Sequence, residues 1–108
     1  MFIKKTEIYD IDPDNPDVTV MERAAEIIRS GGIVVYPTDT LYGFGVDARN
    51  QVAMNRLYDL KGRDENKPVS LIVKNLNKAE SIVGKLYEYE RTIFRKLLPG
   101  KITLILKK

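Results

Sequence analysis

Two hydroxyls flank one carboxylate in the segment Thr38-Asp39-Thr40, which follows an apolar, β-branched run at residues 33–35. An aromatic side chain and two glycines come next, within residues 42–45. A polar loop that is entered from a buried strand and left through glycine is suited to holding a small polar ligand. The same residues would also suit a tight strand connection, in which Thr and Asp bond only to their own backbone. Local chemistry leaves both interpretations open.

Three cationic side chains, Lys61, Arg63 and Lys67, lie within seven residues further along the chain. Arginine offers phosphate oxygens a planar fork of donors, and lysine offers a mobile point charge. The cluster therefore predicts a phosphate-binding segment, suited to a triphosphate. The alternative is a solvated basic loop balanced by Asp64 and Glu65, in which Lys61 interacts with the dipole at the end of a helix.

Composition narrows the classes of function. The net charge of +3, from 18 basic and 15 acidic residues, is too small to require a nucleic-acid partner. Because the sequence has no Cys and no His, thiolate or imidazole metal sites and an imidazole base are excluded. Any metal would have oxygen ligands, which suits Mg²⁺. The sequence has neither a run long enough to span a membrane nor a signal-peptide pattern, so we expect a cytoplasmic protein.

Hydrophobic periodicity predicts the elements that must position these groups. Strands are expected at residues 6–9, 33–36, 42–47, 69–73 and 102–106, and helices at residues 19–30, 51–60, 76–83 and 87–98. Pro37 should end its strand, because it has no amide hydrogen to donate. The order β-α-β-β-α-β-α-α-β indicates an α/β fold, a mixed sheet with helices packed on it.

Capping residues and apolar faces follow from the same pattern. We expect Asp17 or Thr19 to begin the first helix, a left-handed glycine at residues 31–32 to end it, and Asn50 to begin the second. Gly43 and Gly45 would either let a ligand or backbone come close or relieve crowding between sheet and helix. The side chains expected to face the core are Val20, Ala24, Ile27 and Ile28; then Val52, Met54, Leu57, Tyr58 and Leu60; and then Leu86, Tyr89, Ile93, Phe94 and Leu97.

Three ordered motifs carry a family resemblance. Residues 36–46, Tyr-Pro-Thr-Asp-Thr-Leu-Tyr-Gly-Phe-Gly-Val, resemble the signature loop of the YrdC-like family, the threonylcarbamoyl-AMP synthases. Residues 61–63 and the Lys-Pro-Val-Ser at 67–70 resemble the family's Lys-x-Arg segment, and residues 98–106 resemble its Pro-Gly-x-x-Thr-hydrophobic strand. The resemblance implies a YrdC-like twisted mixed sheet. It also implies one partial domain over residues 1–108, since the family's Ser-x-Asn element and C-terminal half are expected after Leu106.

The family's activity is what this resemblance implies for function. L-threonine, bicarbonate and ATP, with Mg²⁺, give threonylcarbamoyl-adenylate and pyrophosphate, for threonylcarbamoyladenosine modification of tRNA. A tRNA-threonylcarbamoyl transferase would be the partner that receives the product. Such chemistry depends on alignment and stabilisation of developing negative charge, so it needs no nucleophilic side chain.

By the same resemblance, Thr38, Thr40 and Ser70 would bind threonine, with Thr40 the stronger choice for a direct contact. Ser70 lies where some relatives present a His. Asp39 is expected to brace the loop rather than to bind metal, and no residue is assigned as a metal ligand.

In this scheme the cationic side chains bind the nucleotide. Lys61 and Arg63 would be catalytic and would hold the ATP phosphates, and Lys67 would add a nucleotide contact. The scheme requires the hydroxyl and cationic groups to converge on one hollow.

Other outcomes follow from the expected partial domain. The isolated polypeptide should be weakly active or inactive, and should associate with itself to cover exposed apolar surface. The main alternative function is a YrdC-like fragment or paralogue that binds nucleotide or RNA, either tRNA or double-stranded RNA, without catalysis. A carbamoyl-transfer relative is a third hypothesis, which no flanking domain supports.

Overall fold

The computed structural model describes residues 6–62 and 69–106, so Arg63 and Lys67 lie outside the described residues. These ranges contain α-helices and a two-stranded antiparallel sheet, which confirms the α/β class. The elements are α1 (Val18–Arg29), β1 (Val34–Pro37), β2 (Tyr42–Gly45), α2 (Gln51–Lys61), α3 (Leu76–Val83) and α4 (Glu88–Leu97). The chain divides into two compact units, Met1–Glu65 and Asn66–Lys108, and a single domain over residues 1–108 stays a prediction.

Side-chain and glycine caps define both ends of α1. The Asp17 carboxylate accepts a hydrogen bond of 2.8 Å from the Thr19 amide, so Asp17 and not Thr19 is the N-cap. Gly31 has a φ of 87°, and the amides of Gly31 and Gly32 donate to carbonyls of the last turn. This is the left-handed glycine ending that the sequence predicts. The expected apolar face of α1, at Val20, Ala24, Ile27 and Ile28, is half-buried, and α1 contacts β1.

The β1–β2 hairpin has a register that pairs Tyr36 with Gly43 and Pro37 with Tyr42. Pro37 ends β1, as its missing amide hydrogen predicts. Val34 and Tyr36 are half-buried, but Val35 is 55% exposed. The expectation of a strand buried on both faces is therefore wrong, because only one face of this hairpin is covered.

α2 begins after Asn50, whose side chain accepts a hydrogen bond of 3.1 Å from the Ala53 amide. Its buried side chains are those of Ala53, Leu57 and Tyr58. Val52 and Leu60 are 61% and 57% exposed, so their assignment to the core is wrong. Val52 lies roughly 100° around the helix from Ala53, and the small Ala53 takes the buried position.

Glu80 on α3 and Arg91 on α4 are joined in the second unit by a charge-assisted hydrogen bond. Glu80 Oε2 accepts from Arg91 Nη2 at 2.9 Å and from the Leu86 amide at 3.1 Å. Both contacts hold the pKa of Glu80 below its ordinary value, Arg91 having the larger effect. The buried Glu90 accepts a hydrogen bond of 2.8 Å from the Tyr87 amide, which fixes the start of α4.

The predicted core face of α4 is wrong in three places. Leu86 is buried and Phe94 is half-buried, but Tyr89, Ile93 and Leu97 are 65%, 43% and 41% exposed. The apolar pattern also missed Glu90, because a carboxylate was not expected to be buried. Its burial is explained by the backbone amide that it caps.

Three of the expected strands do not form in the described residues. Residues 6–9, 69–73 and 102–106 have no ladder of hydrogen bonds, and Ile72 and Ile105 are 82% and 95% exposed. An alternating apolar pattern predicts which side chains share a face, but a strand also needs a neighbour about 4.8 Å away. Among the helices of these described ranges, none combines the length and apolar character that crossing a membrane requires.

Candidate functional site

The hydroxyl-rich segment forms the turn of the β1–β2 hairpin, at residues 38–41. Thr38 closes the turn with two hydrogen bonds to one acceptor. Its amide donates to the Leu41 carbonyl oxygen at 3.1 Å, and its hydroxyl donates to the same oxygen. Thr38 Oγ1 also accepts from the Leu41 amide at 3.1 Å and from the Thr40 amide at 3.3 Å. One side chain therefore organises the backbone of the whole turn.

The Thr38 hydroxyl has no hydrogen-bonding capacity left. A threonine hydroxyl has one donor hydrogen and two acceptor lone pairs, and the turn uses all three. Thr40 and Asp39 are exposed, and neither side chain makes a hydrogen bond to any residue in the described ranges. The expectation that Asp39 braces the loop is wrong, because Thr38 does so. Thr40 and Asp39 are the groups of this turn that can meet a ligand.

The position of the Tyr36 ring explains why β2 has glycine at residues 43 and 45. A Cβ atom added to Gly43 would lie 3.1 Å from Cζ of Tyr36, and one added to Gly45 would lie 3.1 Å from its Cε1. The ring thus lies across the backbone of β2 and occupies the space that the missing side chains leave. Neither interpretation of these glycines is confirmed, because the group that lies closest to them is a side chain of the partner strand, not a ligand, a backbone or a helix. The ring packs against the strand that leaves the turn.

Lys61, the sequence-predicted phosphate ligand, is the last residue of α2. Its exposed side chain makes no ion pair with any described residue. The helix ends at Gly62, whose φ of 64° is left-handed and whose amide donates to carbonyls of the last turn. The helix therefore ends one residue before Arg63 in the sequence.

One hydrogen bond joins the segment after α1 to α2, the helix that carries Lys61, since Nη1 of Arg56 donates to the Gly31 carbonyl at 3.2 Å. The Asn50 side chain lies beside Gly31, where its Nδ2 would be 3.0 Å from an added Cβ. Sequence reasoning missed Arg56, since nothing in its local pattern distinguishes it from a solvated helix residue. These contacts position α2 against the segment that leads into β1.

The predicted residues divide between the compact units. Thr38, Thr40 and Lys61 belong to the first unit, and Ser70 belongs to the second. The Ser70 side chain is exposed, and residues 69–73 around it do not form a strand. Residues 6–9 bound one cleft, and Tyr89, Ile93 and residues 104–106 line another. The convergence of hydroxyls and cations on one hollow stays a prediction.

Taken by itself, the first unit offers two kinds of ligand-binding group at the ends of regular elements. A hydrogen-bonded turn presents a hydroxyl and a carboxylate, which suit the polar groups of an amino acid. The end of α2 presents a primary ammonium, which suits a phosphate as a point charge. The hydroxyl and the ammonium are not nucleophiles unless a base removes a proton from them, so these two groups favour binding and electrostatic stabilisation over covalent catalysis.

Comparison with known proteins gives the same family throughout. The sequence model of the Sua5, YciO and YrdC family, which carries the description "Telomere recombination", matches residues 26–108. Two relatives are named threonylcarbamoyl-AMP synthase. The one from Thiobacillus denitrificans is 40% identical over 78 residues, which cover 72% of this chain and 42% of the relative. The one from Bacillus subtilis is 33% identical over 84 residues, which cover 78% of this chain and 24% of the relative.

A solved structure supports the match. A doubly substituted variant of Sua5 from P. abyssi superposes with a TM-score of 0.75 at 26% identity, over 81% of this chain and 27% of that chain. The chain therefore spans less than half of the length of each of these three proteins.

Proposed function

The chain belongs to the Sua5, YciO and YrdC family, and from that membership we propose that it carries L-threonine-binding and ATP-binding residues of a threonylcarbamoyl-AMP synthase. The proposal depends on one observation above all. The motif shared with that family folds into a hydrogen-bonded turn whose exposed Thr40 hydroxyl has no partner among the described residues.

The proposed reaction has two steps. The threonine amine adds to carbon dioxide, supplied by bicarbonate, and loses a proton to give a carbamate. A carbamate oxygen then forms a bond to the α-phosphorus of ATP, and the bond from that phosphorus to the β-phosphate oxygen breaks. Pyrophosphate leaves, and threonylcarbamoyl-adenylate is the product. The protein's part is to align the reactants and to stabilise charge on the phosphates.

The predicted residues have the following roles in this proposal, except Thr38, whose hydroxyl is used within the turn. Thr40, and Ser70 from the second unit, bind L-threonine. Lys61 and Arg63 are the catalytic cations that hold the ATP phosphates, and Lys67 adds a contact to the nucleotide. Because an ammonium and a guanidinium stay charged at neutral pH, both can stabilise the leaving pyrophosphate without a proton transfer.

Mg²⁺ accompanies ATP in the proposal. In residues 6–62 and 69–106 no group of three or more Asp, Glu, His or Cys side chains is arranged to hold a metal ion. In this proposal the phosphate oxygens of ATP supply most of the ligands, which is how Mg²⁺ is commonly bound. We also propose a cytoplasmic location, where ATP and tRNA occur together. A tRNA-threonylcarbamoyl transferase is the proposed partner, and self-association would cover exposed apolar residues such as Ile105.

The charge distribution favours a second candidate function, binding of nucleotide or RNA without catalysis. Basic residues outnumber acidic residues in the range 69–106, whereas acidic residues outnumber basic ones in the range 6–62. A basic segment attracts phosphate backbones, and the affinity that results falls steeply with salt. Strong, salt-dependent RNA binding without pyrophosphate formation would support this candidate over the synthase.

The deciding experiment measures ligand binding and pyrophosphate release with the same preparation. Calorimetric titrations with ATP and with L-threonine should show binding of both. Pyrophosphate formation, although weak, should require L-threonine and bicarbonate together. Release that does not depend on threonine would contradict the proposed reaction, and failure to bind either ligand would contradict the proposed function altogether.

Matched substitutions test the phosphate assignment. Lys61→Ala and Arg63→Ala should each weaken ATP binding about tenfold, since a hydrogen bond to a charged group contributes about 1.5 kcal/mol. Lys78→Ala, at an exposed lysine of α3 outside the proposed site, should leave ATP binding unchanged. Equal ATP affinity in all of these variants would remove Lys61 and Arg63 from the site.

A further inference from the structure

The two threonines of the turn differ in what their hydroxyls contact. Every hydrogen-bonding position of Thr38 Oγ1 is used within the turn, by the Leu41 carbonyl and by the amides of Thr40 and Leu41. The Thr40 hydroxyl, by contrast, makes no hydrogen bond to any residue of the described ranges. Two residues of one type in one motif are therefore not equivalent as ligand-binding groups.

A ligand contact from Thr38 would have a cost. To bond to a ligand, its hydroxyl would have to give up the Leu41 carbonyl or one of two backbone amides. A polar group that loses its partner in this way must find another or lose stability. The Leu41 carbonyl accepts from both the amide and the hydroxyl of Thr38, so the loss would loosen the closure of the hairpin turn itself.

We propose that Thr38 is a positioning residue, which fixes the backbone of residues 38–41 so that the Thr40 hydroxyl is held ready for the amino-acid ligand. Thr38 itself makes no contact with the ligand. The inference rests on the proposed function as far as the ligand is concerned. The bracing role of Thr38 rests on the hydrogen bonds alone.

Bracing by a hydroxyl at this position has a specific physical effect. The amides of Thr40 and Leu41 are held by a single side-chain oxygen, so the bond vectors on both sides of Thr40 are restrained. Without that oxygen, the turn can sample other conformations, and ligand binding must order it again. The affinity then falls although no atom that touches the ligand has been removed.

The first measurement tests bracing without any ligand. In Thr38→Val, which removes the hydroxyl at nearly constant volume, NMR should show faster amide exchange at Leu41 and Thr40. The amides of β1 and β2 should keep their wild-type exchange rates. Thr38→Ser keeps the hydroxyl and should restore slow exchange, and Thr40→Val should not change exchange at Leu41. Wild-type exchange rates in Thr38→Val would overturn the proposal, and so would an increase spread evenly along the hairpin.

The second measurement tests positioning with L-threonine. Thr40→Val should weaken binding about fivefold, as expected for one lost hydrogen bond. Thr38→Val should weaken it severalfold, and Thr38→Ser should stay within about twofold of wild type. If Thr38 acts through Thr40, the double variant should bind about as weakly as Thr40→Val alone. Additive losses in the double variant would mean an independent ligand contact and would overturn the proposal.

The two measurements separate this inference from the proposed function. No binding of L-threonine by the wild-type chain would contradict the proposed function and the ligand part of the inference, while the exchange rates would still decide the bracing role. Normal binding with unchanged exchange in Thr38→Val would contradict the inference and leave the proposed function intact.

Discussion

Replacing Gly43 by Ala tests whether the Tyr36 ring dictates the glycine at this position. An added Cβ would lie 3.1 Å from Cζ and 3.2 Å from Oη of Tyr36. Both distances are shorter than ordinary contacts between carbon or oxygen atoms, which lie near 3.5 to 4.0 Å. Gly43 does not have a positive φ, so the substitution brings no backbone strain. Any loss of stability is therefore a packing effect.

Two opposing terms set the size of the effect of Gly43→Ala. Overpacking costs about 1–3 kcal/mol, and a cost of about 1.5–2 kcal/mol is expected here, because the half-buried ring of Tyr36 can relieve part of the clash by shifting. Ala restricts the unfolded chain more than Gly does, which returns about 0.4–1 kcal/mol. We expect a net loss of about 1 kcal/mol in the free energy of unfolding. For a domain of this size, that corresponds to a fall of about 4–8 °C in Tm.

Thermal unfolding followed by circular dichroism, in a double-mutant cycle, identifies the clashing group. In a Tyr36→Val background the ring is absent, and Gly43→Ala should be neutral or slightly stabilising. Tyr36→Phe removes only the hydroxyl, so partial relief is expected there, and this second background covers poor folding of the first. An equal loss of stability in all three backgrounds would refute the assignment of the clash to Tyr36.

Gly62→Ala provides the control for backbone strain. A Cβ at Gly62 would meet no atom within 4 Å, but the φ of 64° is left-handed. A left-handed conformation costs a residue with a side chain about 1–2 kcal/mol. The loss at Gly62 should therefore be the same whether position 36 holds Tyr or Val.

Further predictions concern caps and charges. Asn50→Ala should lower the free energy of unfolding by about 1 kcal/mol, since the amide of Ala53 loses its acceptor, whereas Asn50→Asp should be close to wild type in urea titrations. Glu80→Gln should speed amide exchange in α3 and α4, because it removes the ion pair with Arg91. Glu88→Gln is the control and should not speed exchange, because Glu88 is exposed and its ion pair with Arg91 is longer, at 3.6 Å. Because folding lowers the pKa of Glu80 from 4.5, its stabilising contribution should be complete above about pH 4.5 and lost as the pH falls through the folded-state pKa. Acid titration of wild type and Glu80→Gln, followed by circular dichroism, checks this, since the variant should lack that part of the pH dependence.

Helix boundaries were predictable from sequence because their determinants are local. Asn50 and the glycines at residues 31–32 act on amides and carbonyls within a few residues, so their types and spacing suffice. The predicted α3 at residues 76–83 agrees with the structure for the same reason. Glu90 shows the limit of prediction from the hydrophobic pattern alone. Its burial could be predicted only by considering that its carboxylate caps the start of a helix.

Strands were harder to predict because their partners are distant in sequence. Residues 69–73 and 102–106 have suitable patterns, but pattern alone supplies no neighbour for their backbone groups. The hairpin was an easier case, since its strands are joined by a short turn. Given the register across that turn, the position of Tyr36 opposite Gly43 could have been predicted, and with it the reason for the glycine.

Sequence reasoning did not distinguish the roles of the two threonines of the turn. The family resemblance assigned both of them to L-threonine and Lys61 to ATP, and it could not tell which hydroxyl the backbone would use. The distinction depends on turn geometry, because a hydroxyl bonds to backbone groups two and three residues away only when the turn brings them back to it. Thr38 meets that condition.

Both candidate ligand-binding groups of the first unit lie at element ends that are fixed independently of any ligand. The Thr38 hydroxyl fixes the turn, Gly62 ends α2 directly after Lys61, and Arg56 of α2 donates to the Gly31 carbonyl. Since ordering flexible groups is one of the main costs of binding, a turn already ordered by its own hydrogen bonds lets the Thr40 hydroxyl bind at a lower entropic cost. Loss of the Thr38 hydroxyl should therefore weaken the binding of L-threonine even though Thr40 itself is unchanged. This dependence distinguishes a preorganised site from a loop that folds around its ligand.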